Sequence, residues 1–237
     1  MLDSCLNMEF NLFLWPMILP MILPIFYCFK YKRESLVEIL AIILTMIIIV
    51  ILYWPLSNNF FTSQNILAKF VLFVFLPILI LYILSPEKSL FSLKKYGIKK
   101  AGFKKSFSLS LLLLPVMLGV TFIIKYFSGV SYDADLISGI ISFFESFSEE
   151  FFFRGVLFLF LLNKTNLKVA YFSSLFSFIL MHPQHLENYT NLFFFSTIVQ
   201  GVLTIEITRR SENIAGAWIL HGINRFFIIA IIPFLLK

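Results

Sequence analysis

The 237-residue chain is 59% hydrophobic and 14% charged, with a mean hydropathy of +0.92. Soluble domains carry about a quarter charged residues, so a soluble globular domain is excluded and most of this chain belongs in lipid. The net charge of +6 comes from basic residues gathered in a few short loops, which is the distribution of topology signals and argues against nucleic acid as a partner.

The first residues, "MLDSCLNMEF", lack a basic region and carry Asp3 and Glu9, so the first apolar stretch is expected to be a retained span and not a cleaved signal. A span needs about 20 mainly apolar residues. Eight stretches qualify: residues 10–28, 36–54, 67–84, 106–125, 135–163, 169–185, 192–208 and 214–235. The fold class is therefore all-α, a polytopic membrane protein. Pro16, Pro20 and Pro24 fall about one turn apart in the first stretch, which predicts a kink or prolines packed on neighbours. The fifth stretch is long, so it tilts or begins outside the lipid. The sixth and seventh are short. Cys5 and Cys28 are the only cysteines and show no metal-ligand or CxxC spacing, so no disulfide framework is expected.

The connections alternate in charge. "FKYKRES", "SPEKSLFSLKKYGIKKAGFKKS", "NKTNLK" and "RRSEN" are basic, whereas "PLSNNFFTSQN", "YFSGVSYD" and "QHLENYTN" have no Lys or Arg. Basic loops then face the cytoplasm, with both termini outside. The lysine-rich loop at 85–105 divides the chain into 1–105, N-terminal helices with a basic loop, and 106–237, a helix bundle that carries the chemistry. Mixed periodicity in that loop allows a short interfacial helix.

An ionisable residue at the centre of a span costs about 2.5–3.5 kcal/mol on insertion scales, which makes it a functional candidate. Glu38, Lys69 and Lys125 lie near span ends, where long side chains reach the interface, and are set aside. The deeper set is Glu145, Glu149, Glu150, Arg154, His182, Glu206, His221 and Arg225. Glu150 and Arg154 are four apart and pair on one helical face. Glu149 points about 100° away from Glu150 and has Glu145, a like charge, one turn before it. It is expected to be the less compensated carboxylate, which suits proton transfer. Each has a plain structural alternative: an ion pair joining helices for Glu150 and Arg154, a solvated outer position for Glu145, an interfacial partner of "TRR" for Glu206. His182 alone reads as a cap or interfacial group. His185 follows it at i+3, with Pro183 between them breaking a regular turn. His221 alone reads as a buried group hydrogen-bonded across helices.

Depth joins three of them. At 1.5 Å per residue, Glu149 lies about 22 Å from Lys164, His182 about 21 Å from Lys168, and His221 about 17 Å from Arg210. Three helices thus bring Glu, His and His to one level, somewhat past the midplane of a core about 30 Å thick. A carboxylate with two imidazoles can activate water for direct attack on an amide. No nucleophile elbow and no HExxH accompanies them. A zinc peptidase or small transporter built from His182, His185, His221 and a Glu is the alternative of another class.

"EEFFFR" (Glu149 to Arg154), "FILMH" (Phe178 to His182) and "TIEITRRSENIAGAWILHGIN" around His221 stand in that order. In these motifs the chain resembles the CPBP family of CAAX-prenyl-protease-like and bacteriocin-processing membrane proteins, also called Abi or type II CAAX proteases. The resemblance covers about residues 135–235. It implies a glutamic intramembrane endopeptidase that needs no metal or cofactor and acts on a membrane-associated or lipidated peptide; the compact size of the chain, without extra eukaryotic features, points to a bacterial plasma membrane. It places the general base on Glu149 with His182, the oxyanion hole on His221 and Asn224, and support on Glu150 and Arg154. The family's last motif has its amide or acid four residues after the histidine. Here that position is Arg225, and Asn224 stands at three. The departure leaves two arrangements open, Asn224 reaching by a local bulge or Arg225 supplying the donor. It also favours the second reading, a non-catalytic relative acting in bacteriocin immunity or as a scaffold.

Overall fold

A backbone in lipid must satisfy its own polar groups, and a helix does so within one segment. The computed structural model describes residues 14–59, 66–85, 92–128, 133–182 and 191–236. Eight helical segments follow in chain order, with no strand among the described residues: α1 (Trp15–Tyr31), α2 (Leu36–Asn59), α3 (Ile66–Leu84), α4 (Phe103–Ser128), α5 (136–164), α6 (Leu167–Leu180), α7 (Asn191–Ser211) and α8 (Ala215–Leu235). They coincide with the eight predicted spans. The first four residues of the first span, 10–13, and much of the connections at 129–132 and 183–190 lie outside the described residues.

Four segments are long and apolar enough to cross a membrane by themselves: Arg33–Tyr53, which covers most of α2, together with α3, α4 and α8. The outward surface suits lipid, with Phe26, Leu112 and Ile137 among its exposed side chains. α6 is shorter than its predicted span. Its 14 residues rise about 21 Å, less than a hydrocarbon core of about 30 Å. The regular helix ends at Leu180, and His182 stands just beyond that end.

Of the two outcomes predicted for the prolines of α1, packing on neighbours is seen at Pro24. Residues Trp15–Met21 wind as a tighter 3-10 helix before the α-helical turn resumes, and Pro24 is buried. Pro24 has no N–H to donate to the carbonyl of Pro20. The hydroxyl of Ser173 on α6 donates to that carbonyl instead, at 3.2 Å, which joins α1 to α6.

α5 is the central pillar. Asp135 caps its start, accepting from the Ser138 amide at 2.9 Å and from the Ser138 hydroxyl. After Glu150 the helix widens into π-helical turns over Phe151–Phe160, and every residue of that stretch is buried. Such widened turns recur at functional sites. Tyr96 from the lysine-rich loop inserts beside this stretch, fully buried, with its ring 5.4 Å from Phe151 and 5.9 Å from Phe160. Among the described residues of that loop, where a short interfacial helix was allowed, Leu93–Tyr96 forms one 3-10 turn.

The same loop is bolted to the turn between α7 and α8. Asn213 donates to the carbonyls of Lys99 at 2.6 Å and Ala101 at 3.2 Å, and the Ile214 amide donates to Gly97 at 3.2 Å. Gly102 has φ +76°, and a Cβ there would stand 2.0 Å from the Ser211 carbonyl oxygen. Helices from both sides of residue 105 thus share one core.

Glu38 is not interfacial, as its place near a span end suggested. It is 2% exposed and takes Lys164 at 3.0 Å and the Ser85 hydroxyl at 3.1 Å. One buried carboxylate thereby ties together α2, α3 and α5.

Candidate active site

Glu149 and Glu150 sit at the end of the regular part of α5, one step before the widened turns. Adjacent residues on a helix diverge by about 100°, and the two carboxylates serve different neighbours. Glu150 is fully buried. Its Oε2 lies 3.3 Å from Arg154 Nε, the predicted i,i+4 pair, and its Oε1 accepts from His221 Nδ1 at 2.8 Å. Arg154 is itself held by donation to Thr204 Oγ1 at 2.8 and 2.6 Å and to Ser174 Oγ at 3.3 Å. Its guanidinium lies 4.6 Å over the ring of Phe178. That ring is 4.9 Å from the His182 ring and 6.0 Å, edge-on, from that of His221. The phenylalanine of FxxxH is therefore the apolar wall that separates the cation from both imidazoles.

Glu149 Oε1 takes two cations, Lys69 Nζ at 2.5 Å and Arg225 Nη1 at 3.0 Å. Its Oε2 is buried and accepts no hydrogen bond from the protein. It points between His182 Nε2 at 4.0 Å and His221 Nε2 at 3.8 Å. The three residues predicted to share one level therefore converge.

Hydrogen bonding fixes both rings. His182 Nδ1 lies 2.8 Å from the carbonyl oxygen of Phe178, which can only accept, so Nδ1 carries the proton and a neutral ring turns the lone pair of Nε2 toward Glu149. A water about 2.8 Å from both Nε2 and Oε2 spans the 4.0 Å between them at roughly 90°, near the angle between its own O–H bonds. His221 Nδ1 likewise donates to Glu150, so its Nε2 faces the same space.

Around these atoms lies a cavity of about 350 Å³, lined also by Tyr53, Met181, Gln200, Asn224, Arg225 and Ile228. Asn224 is oriented by two bonds, accepting from Thr121 on α4 at 2.8 Å and donating to Gln200 on α7 at 3.0 Å. Arg225 turns to α5, reaching Glu149 at 3.0 Å and Glu145 at 3.1 Å. Each side chain borders the cavity, with the amide held by neighbouring helices and the guanidinium engaged on carboxylates.

Three expectations fail here. Glu145 is not solvated; it is 5% exposed and pairs with Lys69 at 2.6 Å as well as with Arg225. Lys69 is not interfacial; it is 5% exposed and bound to two carboxylates. Glu149 is not the poorly compensated member of its pair, because two cations meet it. The common reason is tertiary: each partner comes from another helix, about 80 residues away in the chain. One signal existed. Beyond its first residue, Asp135, the fifth span holds three carboxylates against Arg154 alone, so buried cations from elsewhere were required. Glu206 is where it was expected, paired with Arg209 at 2.8 Å and Arg210 at 3.3 Å. Among the described residues no group of three or more His, Cys, Asp or Glu side chains is arranged to hold a metal ion. His185, the third histidine of that alternative, lies outside them.

None of the curated proteins and none of the solved structures matches the chain significantly. Residues 134–227 do match a family model, described as type II CAAX prenyl endopeptidase Rce1-like. That span contains every motif on which the resemblance was drawn, from Glu149 to Asn224. The chain is a multi-pass membrane protein that carries, over residues 134–227, the signature of the Rce1-like type II CAAX prenyl endopeptidases of the CPBP family.

Proposed function

We propose that this protein is an intramembrane endopeptidase that hydrolyses a peptide bond of a membrane-associated or lipidated peptide by water activated between Glu149 and His182. At the family level the match supports a CAAX-type intramembrane endopeptidase; the mechanism and residue roles are our reading. The observation that carries it is the unengaged Oε2 of Glu149, buried and set between two imidazole nitrogens. Water there donates its two hydrogens to Glu149 Oε2 and His182 Nε2, which leaves an oxygen lone pair for the scissile carbonyl carbon. As the C–O bond forms, Glu149 takes the proton and the carbonyl oxygen becomes an oxyanion. His221 and Asn224, which also line the cavity, stabilise that charge in this reading, with Glu150 behind His221 supporting a positive ring. The proton on Glu149 then passes to the leaving nitrogen as the C–N bond breaks. In this reading the peptide lies in the bilayer of a bacterial plasma membrane.

Glu149→Gln removes the proton acceptor while keeping the shape. It is expected to lower turnover by at least about 10²-fold with the folded protein retained. Peptide fragments from membranes of cells carrying the native protein or the variant provide the measurement, and an unchanged fragment profile rejects the assignment. A non-catalytic role in immunity or scaffolding is favoured by one observation, the engagement of Arg225 on carboxylates where the family places an amide or acid. Under that reading Glu149→Gln leaves the biological effect intact.

A further inference from the structure

Lys69 belongs to α3, outside the segment that matches the family. It closes a ring of alternating charge across three helices. Lys69 Nζ lies 2.5 Å from Glu149 Oε1 and 2.6 Å from Glu145 Oε1. Arg225 lies 3.0 Å from Glu149 Oε1 and 3.1 Å from Glu145 Oε2. Two cations face two carboxylates, so the ring is neutral. Both cations meet Glu149 through the same oxygen. The carboxylate cannot turn over without breaking two charge-assisted hydrogen bonds, the stronger kind. Its other oxygen is thereby held toward the histidines.

We propose that Lys69 is a positioning residue of this site: with Arg225 it pins Oε1 of Glu149 so that Oε2 alone meets the water, and Glu145 is the counter-charge that keeps the two cations there. The inference rests on the hydrolytic reading given above. A purely structural ring would join α3, α5 and α8 and affect only stability. A positioning ring also sets the rate per folded molecule, because a base displaced by about 1 Å loses on the order of 10²-fold.

The test uses the purified full chain in detergent and a quenched fluorescent peptide ending in S-farnesylcysteine and three further residues. Thermal midpoint is recorded beside turnover. Lys69→Met is expected to lower kcat by about 10- to 100-fold with KM unchanged. Lys69→Arg, which keeps the charge, recovers part of the loss. Lys69→Met with Glu145→Gln leaves Arg225 and Glu149 as a neutral pair and is expected to return kcat to within about tenfold of wild type, on the same displacement scale. Wild-type kcat in Lys69→Met, or a loss confined to the thermal midpoint, overturns the proposal. So does a loss that neither Lys69→Arg nor the double variant relieves. If Lys69→Met does not accumulate, the neutral double variant carries the test, and its failure to cleave overturns the proposal. Glu149→Gln in the same series separates the two ideas. Inactive Glu149→Gln beside fully active Lys69→Met sinks the role of Lys69 alone, whereas active Glu149→Gln or inert wild type sinks the hydrolytic reading together with this one.

Discussion

Replacing Arg154 with methionine strands a charge in the protein interior. The guanidinium is 0% exposed, and it is the cation beside Glu150, which is 0% exposed too. Breaking a buried pair by removing one partner costs about 3–5 kcal/mol, because the other charge is left uncompensated. The hydroxyls of Thr204 and Ser174 also lose their donor. For a chain of 150–250 residues each kcal/mol moves the midpoint by about 2–4 °C, which gives an expected drop of about 6–20 °C. The assay is thermal unfolding in detergent, beside turnover of the farnesylated peptide. Arg154→Met with Glu150→Gln removes the stranded charge and keeps an acceptor for His221 Nδ1, so it is expected to regain most of the midpoint. Its turnover stays low, because the charge behind His221 is gone. A midpoint within about 2 °C of wild type in Arg154→Met, less than 1 kcal/mol on the same scale, refutes the energetic role assigned to this pair. Full activity in the double variant refutes the support that Glu150 gives to His221.

Two further outcomes test the frame around the site. Gly216→Val places a Cβ 2.1 Å from the Ser106 carbonyl oxygen, where the Gly216 amide now donates to Ser106 Oγ at 2.8 Å. It is expected to part α4 from α8 at a cost of about 1–3 kcal/mol, read as a lower thermal midpoint, and an unchanged midpoint contradicts that close approach. Asp135 has its carboxyl held below the usual carboxylate range by the Ser138 hydroxyl, then by the Ser138 amide. A depressed folded value means that the cap is fully formed above the ordinary carboxylate range and is lost as pH falls through the lowered one. Amide exchange at Ser138, corrected for its intrinsic pH dependence, therefore accelerates in acid but not in an Asp135→Asn variant, and equal behaviour of the two contradicts the cap.

What could be read from the chain alone has a physical boundary. Helices in lipid announce themselves by composition, so all eight were legible. Pairs within one helix were legible as well, Glu150 with Arg154 and Glu206 with Arg209 and Arg210, because 3.6-residue periodicity fixes them. Convergence of Glu149, His182 and His221 followed from depth, which a straight helix preserves. The errors share one origin: a charge near the end of an apolar run was assigned to water. Lys69, Glu38 and Glu145 lie near such ends and are buried, since other helices extend past them and supply counter-charges. Pairing between residues as distant as Lys69 and Glu149 depends on packing order, which hydropathy does not encode. The widened turns after Glu150 were also invisible, because any apolar stretch reads alike in either helical form.

The order in which these charges leave the ribosome bears on biogenesis. Glu145, Glu149, Glu150 and Arg154 at about 2.5–3.5 kcal/mol apiece make α5 a poor candidate for entering the bilayer unaided. Lys69 and Glu38 are translated earlier, on α3 and α2, and give Glu149 and Lys164 partners as they emerge. Arg225 arrives last and completes the neutralisation. In that order of synthesis the amino-terminal helices hold a partner ready for the helix that bears the glutamates, and a fragment that starts after them would release its most polar helix into lipid with no cation for Glu149 until Arg225 is made.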